Sequence, residues 1–344
     1  MIDTASHFYS YEREILGKVC PLDTPFRLAI SVSEVCNFKC KYCFRSVSDT
    51  LKSGYTTLPF MSTNMFKKVV KQAKQFPSKI KKIFLNVTGE PLCHKELPQM
   101  IKFIKNEIPD SIVSIQTNGS LLTHGLSEDL VNSGLDDILI SLQGLSSEKY
   151  KAICDANINF NDFVDNIKYL YEYKTKSKSN LHLYVKMPDI ALETNQNKIY
   201  YDIFNPISDQ ATIEKINPVF NEVDYSKIGI NNFSTANRLG TDYGNQEVCS
   251  IAFYGLTVTT NGNVYPCVQS VSPCTFGNIN TESLVEIWNG KVRTEFLKKM
   301  LRRESIPRCD ICTSKNACVL SDEDRISPYA TEVLERILSK ERSI

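Results

Sequence analysis

The stretch CNFKCKYC, Cys36 to Cys43, follows directly on the apolar, alternating run RLAISVS, Arg27 to Ser33. Its three cysteines are spaced C-x3-C-x2-C, which puts three thiolates on one loop, aimed at one point. A [4Fe–4S] cluster normally takes four cysteine ligands. Three leave one iron without a protein partner, and an open coordination position is where water, substrate or cofactor binds, as at catalytic zinc. The loop therefore reads as a reactive iron–sulfur site and not a structural one.

Outward from this loop, strand and helix signals alternate. Strands read at Arg27 to Ser33, Ile83 to Val87, Ile112 to Gln116, Asp137 to Leu142, in LHLYVKM (181–187) and in ATIEKI (211–216). Helices read at Thr63 to Phe76 with Ser62 as N-cap, Leu97 to Glu107, Ser127 to Ser133, Asn161 to Lys174 and Lys198 to Phe204. Such alternation predicts an α/β fold of right-handed βαβ units around a parallel sheet, curled into a barrel or open. No G-x-G-x-x-G follows the first strand, so a dinucleotide fold has little support. In either α/β form, chemistry collects at the C-terminal strand ends. The polar punctuation falls there: the cysteine loop, then TGEP (Thr88 to Pro91), TNGSLL (Thr117 to Leu122), SLQG (Ser141 to Gly144) and Lys186-Met187-Pro188.

The whole chain bounds the answer. Its 344 residues, 42% apolar, allow a large domain plus a smaller one. A formal net charge of +1 argues for neither nucleic acid nor an anionic membrane surface. The short basic clusters Lys79, Lys81, Lys82 and Arg302, Arg303 read as solvated faces. No apolar run reaches the roughly eighteen residues of a membrane helix. The opening MIDTASHFYSYERE, helical in character near Tyr9 to Leu16, lacks the basic and apolar regions of a signal peptide, so a cytoplasmic protein is expected.

The 12 cysteines are clustered, which does not suit a disulfide framework. After Cys36, Cys40 and Cys43 come Cys249, Cys267 and Cys274, then Cys309, Cys312 and Cys318; Cys20, Cys93 and Cys154 stand alone and read as reduced packing thiols. Between the groups, residues 217–248 are rich in Asn, Gly and Ser and read as a connecting segment over the barrel mouth. AFYGLTVTTNGNVYPC reads as a hairpin turning at Asn261-Gly262, and ESLVEIWNGKVRTEFLKKML as one helix. The tail from Pro328 to Lys340 reads as an amphipathic helix. His7, His94, His124 and His182 are scattered, and His94 reads as a surface residue. Glu222, Asp224, Tyr225, Asp242 and Tyr243 are polar candidates for substrate contact.

CNFKCKYC with an aromatic before the last cysteine, followed by TGEP, TNG and SLQG at successive strand ends, resembles the radical S-adenosylmethionine (SAM) superfamily over about Arg27 to Ile216. The resemblance implies a partial (β/α)6 TIM-like barrel in which Cys36, Cys40 and Cys43 hold a [4Fe–4S] cluster whose open iron takes SAM. It implies SAM contacts at Tyr42, Gly89, Glu90, Pro91 and Ser141, and more loosely at Asn118 and Lys186. It also implies reductive cleavage of SAM to a 5′-deoxyadenosyl radical, fed by a reductant such as flavodoxin or ferredoxin. The later cysteines are similar to the SPASM and twitch extensions of that superfamily, which bind auxiliary [4Fe–4S] clusters. Cys249, Cys267, Cys309 and Cys312 would hold one. Cys318, with Asp322 where a further cysteine usually stands, leaves a second cluster open; the other alternative is a zinc ribbon. The expected organisation is a lead-in (1–25), barrel (26–216), connecting segment (217–248), a small auxiliary-cluster domain of hairpin and helices (249–322) and a C-terminal helix (323–344).

An auxiliary cluster suits a two-electron oxidation, so the expected reaction is dehydrogenation of a sugar-like or other small hydroxylated substrate. A peptide-modifying maturase, a redox-neutral epimerase or decarboxylase, and a non-catalytic iron–sulfur electron-transfer protein are the alternatives.

Overall fold

The computed structural model describes residues 13–47, 58–220, 222–230, 235–267 and 273–342. Most of the helical expectation at Tyr9 to Leu16 lies outside them. The described strands are β1 (Arg27–Ile30), β2 (Lys82–Phe84), β3 (Ile112–Thr117), β4 (Asp137–Ser141), β5 (His182–Pro188), β6 (Gln210–Glu214), β7 (Gly255–Val258), β8 (Asn263–Tyr265) and β9 (Gly277–Asn278). The helices are α1 (Leu16–Val19), α2 (Thr63–Ala73), α3 (Leu97–Glu107), α4 (His124–Asn132), α5 (Ser147–Cys154), α6 (Phe160–Lys176), α7 (Gln196–Phe204), α8 (Ile251–Tyr254), α9 (Leu284–Asn289), α10 (Lys291–Leu301), α11 (Pro307–Asp310), α12 (Ser314–Ala317) and α13 (Ala330–Arg342).

All nine strands lie in one sheet, in the order β6-β5-β4-β3-β2-β1-β7-β8-β9. β1 to β6 run parallel, with helices between them, as a partial (β/α)6 barrel. β7 is also parallel and lies along the other edge of β1, with Arg27 opposite Gly255 and Ile30 opposite Val258. The hairpin β7–β8 then adds antiparallel pairing. The hairpin of the C-terminal region therefore extends the barrel's own sheet.

Side-chain alternation decides what faces where. Leu28, Ile30, Ile83, Leu85, Ile138, Ile140, Leu183, Val185 and Met187 point outward into the main core with the helices. The other face of the same strands lines the lumen. There Leu139, Tyr184 and Phe84 form a second, small apolar cluster. Lys82 pairs with Asp137 at 3.1 Å and Lys186 with Glu214 at 3.1 Å. Lys82 is thus a largely covered lumen cation and not part of a solvated face; its position on the inward register, next to a strand-start aspartate, overrides the basic run around it.

Local chemistry starts α2 at Ser62 as expected, whereas α4 begins at His124, three residues before the expected Ser127. Ser62, Thr123 and Ser146 each accept a bond from the backbone N–H three residues on, and Ser283 with Glu286 completes a capping box. Two further expectations need correction. α5 was not read from the sequence, because eight residues with few apolar positions carry little periodicity. ESLVEIWNGKVRTEFLKKML is two helices, broken at Gly290, whose backbone is extended (ψ 157°).

Trp288 ties the ends of the chain together. It is fully buried, its Nε1–H donates to Leu22 O at 2.9 Å, Phe76 meets it edge-on, and the Arg293 guanidinium stacks 3.3 Å from its ring centroid. Trp288→Ala is expected to cost about 3–5 kcal/mol and Trp288→Phe markedly less, read as a shift of the urea midpoint.

Candidate active site

The chain leaving β1 is strapped down on every side before the cysteine loop begins. Ser31 N–H continues the ladder onto Val258 O at 2.8 Å, and Ser31 Oγ donates to buried Glu34 at 2.5 Å. Thr88 donates to the other Glu34 oxygen. Glu90 N–H donates to Val35 O at 2.7 Å. Gly89 lies so close that a Cβ there would fall 2.1 Å from Ser33 O and 2.8 Å from Val35 O. TGEP is therefore a backbone clamp on the loop's entry, which only glycine permits at position 89.

The loop's far side is held by α5. Lys39 and Lys41 N–H groups donate to Cys154 O and Ile153 O at 2.9 and 3.0 Å, and the Cys40 and Cys154 sulfurs are 3.5 Å apart. Cys154 is buried, as a packing thiol should be, but it does not stand alone.

Burial pushes the Cys36 thiol up to about 12, with Glu90, Cys40 and Cys43 adding negative potential. Cys40 is raised by its bond with Cys154 and then by burial. Thiols gathered in this way resist ionisation unless a cation joins them, which is what a cluster iron supplies. The donor set fits an iron–sulfur cluster.

The remaining strand-end residues form one rim. Glu90 is buried, and burial raises its carboxyl to about 7. It accepts from Leu92 N at 3.0 Å, Thr117 Oγ1 at 2.5 Å and Asn118 N at 2.8 Å. Asn118 Nδ2 donates to Asn37 Oδ1 at 2.8 Å and lies 4.0 Å from Cys36 Sγ. Gln116 Nε2 donates to Ser141 Oγ at 3.0 Å, and the Tyr42 hydroxyl donates to Gln143 Oε1. Tyr42, Gly89, Glu90, Pro91, Asn118 and Ser141 thus share the rim around the cysteine loop. Lys186 lies beside Ser141 on the next strand, β5, where it is engaged with Glu214. Gln116, which carries no motif, and Gln143, which lies inside SLQG, are rim members that the sequence did not single out.

The polar candidates of the connecting segment do structural work. The Tyr225 hydroxyl donates to Tyr42 O at 3.3 Å, laying that segment over the loop. Glu222 pairs with Arg308, Asp224 caps Ser226, Asp242 accepts from Thr235 at 2.6 Å and Tyr243 donates to Leu320 O at 3.1 Å. His94 is a correction: it is buried, bonded to Met61 O at 3.0 Å and edge-on to Phe60.

A second thiol centre lies in the C-terminal region. Cys249, Cys267, Cys309 and Cys312 line one small cavity of about 50 Å³ with Ile251, Phe296 and Met300. Burial raises Cys249 strongly and Cys309 to about 12, and each feels the charges of Cys267 and Cys312. Cys318 faces a different, larger cavity, with Arg238 Nη2 3.9 Å away. Cys274 is raised to about 11 by burial. Among the described residues no three Cys, His, Asp or Glu side chains are drawn tightly enough to hold a single metal ion. A cluster asks less of them, because each thiolate reaches its own iron. Among the same residues no helix is long and apolar enough to cross a membrane.

Known proteins match both halves. The radical SAM superfamily model matches residues 30–195, and an iron-sulfur cluster-binding domain, SPASM, matches residues 249–313. The chain is 23% identical over 330 residues to a tungsten-containing aldehyde ferredoxin oxidoreductase cofactor-modifying protein of Pyrococcus furiosus, covering 85% of this chain and 88% of that one. It is 38% identical over 134 residues to a probable GTP 3′,8-cyclase of Methanococcus vannielii, but that match spans only 39% of this chain and 41% of the cyclase. Among solved structures, Streptococcus suis SuiB bound to S-adenosylmethionine superposes with a TM-score of 0.62 at 17% identity, over 90% of this chain and 77% of that one.

Gly89→Ala is expected to cost about 1–3 kcal/mol and to speed exchange of the Glu90 amide, since the clamp must open to admit the methyl group. Glu90 carries a pH signature in the cluster-free chain. Its folded pKa is raised, so its contribution is present at low pH and lost as pH rises through about 7. Glu90→Gln should flatten that decline, read from urea midpoints between roughly pH 4 and 8.

Proposed function

Because the chain belongs to the radical SAM superfamily and carries a C-terminal SPASM iron–sulfur domain, we propose that it is a radical SAM enzyme that dehydrogenates a small hydroxylated substrate, with an auxiliary cluster as electron acceptor. The two domains imply a [4Fe–4S] cluster, SAM and auxiliary iron–sulfur chemistry. Cys36, Cys40 and Cys43 would hold the first cluster, and Cys249, Cys267, Cys309 and Cys312 an auxiliary one. When bound, these groups supply the electron that splits SAM into methionine and a 5′-deoxyadenosyl radical, the hydrogen abstraction that follows, and a sink for the electron left on the substrate.

The chain's own residues position and shield. The clamp at Gly89 and Glu90 sets the loop's height above β1, and Tyr42, Ser141 and Asn118 offer polar contacts around the rim. Tyr225 holds the connecting segment across Tyr42 and keeps water from that side. One observation carries the small-molecule reading: a cavity of about 430 Å³, open to solvent on one side, joins the lumen to Cys318, within the size range of small-molecule sites.

Anaerobic reconstitution with dithionite and SAM tests the proposal. We expect 5′-deoxyadenosine and about eight irons per chain; about twelve would indicate a second auxiliary cluster, and zinc with about four irons would replace the auxiliary cluster by a ribbon. Replacing Cys36, Cys40 and Cys43 together by alanine should abolish SAM cleavage and leave the auxiliary iron in place. No 5′-deoxyadenosine under any reducing condition would sink the enzyme reading.

A further inference from the structure

The large cavity is electrically lopsided. Its wall runs from Asn86 and Gln116 near the strand ends to Arg27 and Lys82 at the strand starts, and across to Tyr254 and Cys318. Of its five cations, three have carboxylate partners: Arg13 pairs with Asp324, Lys81 with Glu14 and Lys82 with Asp137; a fourth, Arg238, is engaged near Cys318 Sγ at 3.9 Å. The fifth is Arg27. Among the described residues its guanidinium makes no hydrogen bond or ion pair, its Nε is buried without a partner, and its neighbour is the face of Tyr254 at 5.3 Å. A ring face offsets only part of what a half-buried cation loses in leaving water. The same positive charge is one of the influences acting on the Lys82 ammonium, so the surplus is shared across the floor of the lumen.

Building on the radical SAM reading, we propose that this cavity is the substrate site and that the substrate is a small hydroxylated molecule bearing a carboxylate or phosphate, bound by Arg27 at the strand-start end. A guanidinium fork meets either anion with two parallel N–H donors. Asn86 and Gln116, on the same wall nearer the strand ends, supply amides suited to hydroxyl groups. Four residues of extended chain from Lys82 to Asn86 span roughly 13 Å, so the anion site and the amides stand at opposite ends of one wall. Anchoring the anion at the floor therefore points the neutral end of the molecule at the rim where the cysteine loop stands. The anion fixes orientation, which is what selective hydrogen abstraction from one carbon requires.

Glucose 6-phosphate, glucuronate and glucose share a skeleton and differ in their charged group. Titration calorimetry on the anaerobically reconstituted full chain should show saturable binding of one or both anions, with glucose at least roughly tenfold weaker. The stronger anion separates phosphate from carboxylate recognition. Its affinity should fall with added potassium chloride, a test that needs no variant. Arg27→Gln should weaken it roughly tenfold or more, and Arg27→Lys should recover part of the loss at unchanged iron content. Equal binding of the three probes, binding of none, or wild-type anion affinity in an iron-loaded Arg27→Gln overturns the proposal. SAM cleavage is assayed on the same wild-type preparation. Cleavage without anion binding overturns the anion proposal alone; anion binding without any cleavage overturns the radical SAM reading and, with it, the assignment of this cavity as its substrate site.

Discussion

β1 is hydrogen-bonded along both edges, to β2 on one side and β7 on the other. A strand so paired cannot shift register without breaking two ladders and turning its side chains to the wrong face. The point at which the chain leaves the sheet is therefore fixed, and the cysteine loop begins within a few residues of it. β7 comes from the C-terminal region, with Cys249 just before α8 and α8 leading straight into β7. The second thiol centre is thus hung from the partner strand of the one that carries the first. Their separation is set by a sheet ladder and not by the length of the connecting segment. Two centres carried on one sheet keep a constant separation, where centres on tethered domains would not.

The clamp on the loop depends on the same strand. Ser31, Ser33 and Val35 offer the groups that Val258, Gly89 and Glu90 engage, and glycine at position 89 is what lets two backbones meet at this distance. Glu90 then hands the constraint on to β3 through Thr117 and Asn118, and Asn118 returns it to Asn37 inside the loop. The motif residues are coupled: removing one loosens the others, because each satisfies a buried donor or acceptor of its neighbour.

The barrel strands were legible because their outward faces are apolar at every second position and their ends carry Gly, Asn and Pro at the turns. The cysteine groups were legible by spacing alone. Three things were not. α5 has too few apolar residues to show a period, yet its last two carbonyls hold the cysteine loop. Gly290 follows Asn289, a pair that can end a helix but does not have to, and the packing of Trp288 against Leu22 and Phe76 fixes the turn there. The pairing of β7 with β1 joins residues more than two hundred positions apart, and local pattern carries no information about such a contact. The same limit hid the role of Gln116, which arises only from the Ser141 strand that the sheet places beside it.

Lumen polarity follows from a rule that the outer face does not obey. Helices cover the outside, so apolar side chains are satisfied there without further conditions. The inside has no second layer to cover it, and its residues must satisfy one another. They do so as cross-strand pairs at two levels, Lys82 with Asp137 near the strand starts and Lys186 with Glu214 near the ends. Such pairs gain little net stability once desolvation is counted. What they add is fixed charge that needs no rearrangement when a ligand arrives. Beside two neutral pairs, the Arg27 guanidinium, with the Tyr254 ring as its neighbour, adds uncompensated positive charge at the strand starts. Arg27 is placed by the first residue of the strand on which the whole sheet hinges, so its position is as rigid as that of the cysteine loop at the other end of β1. One strand therefore carries a fixed cation at its start and the thiol loop at its exit, and a molecule bound by the first is aimed at the second.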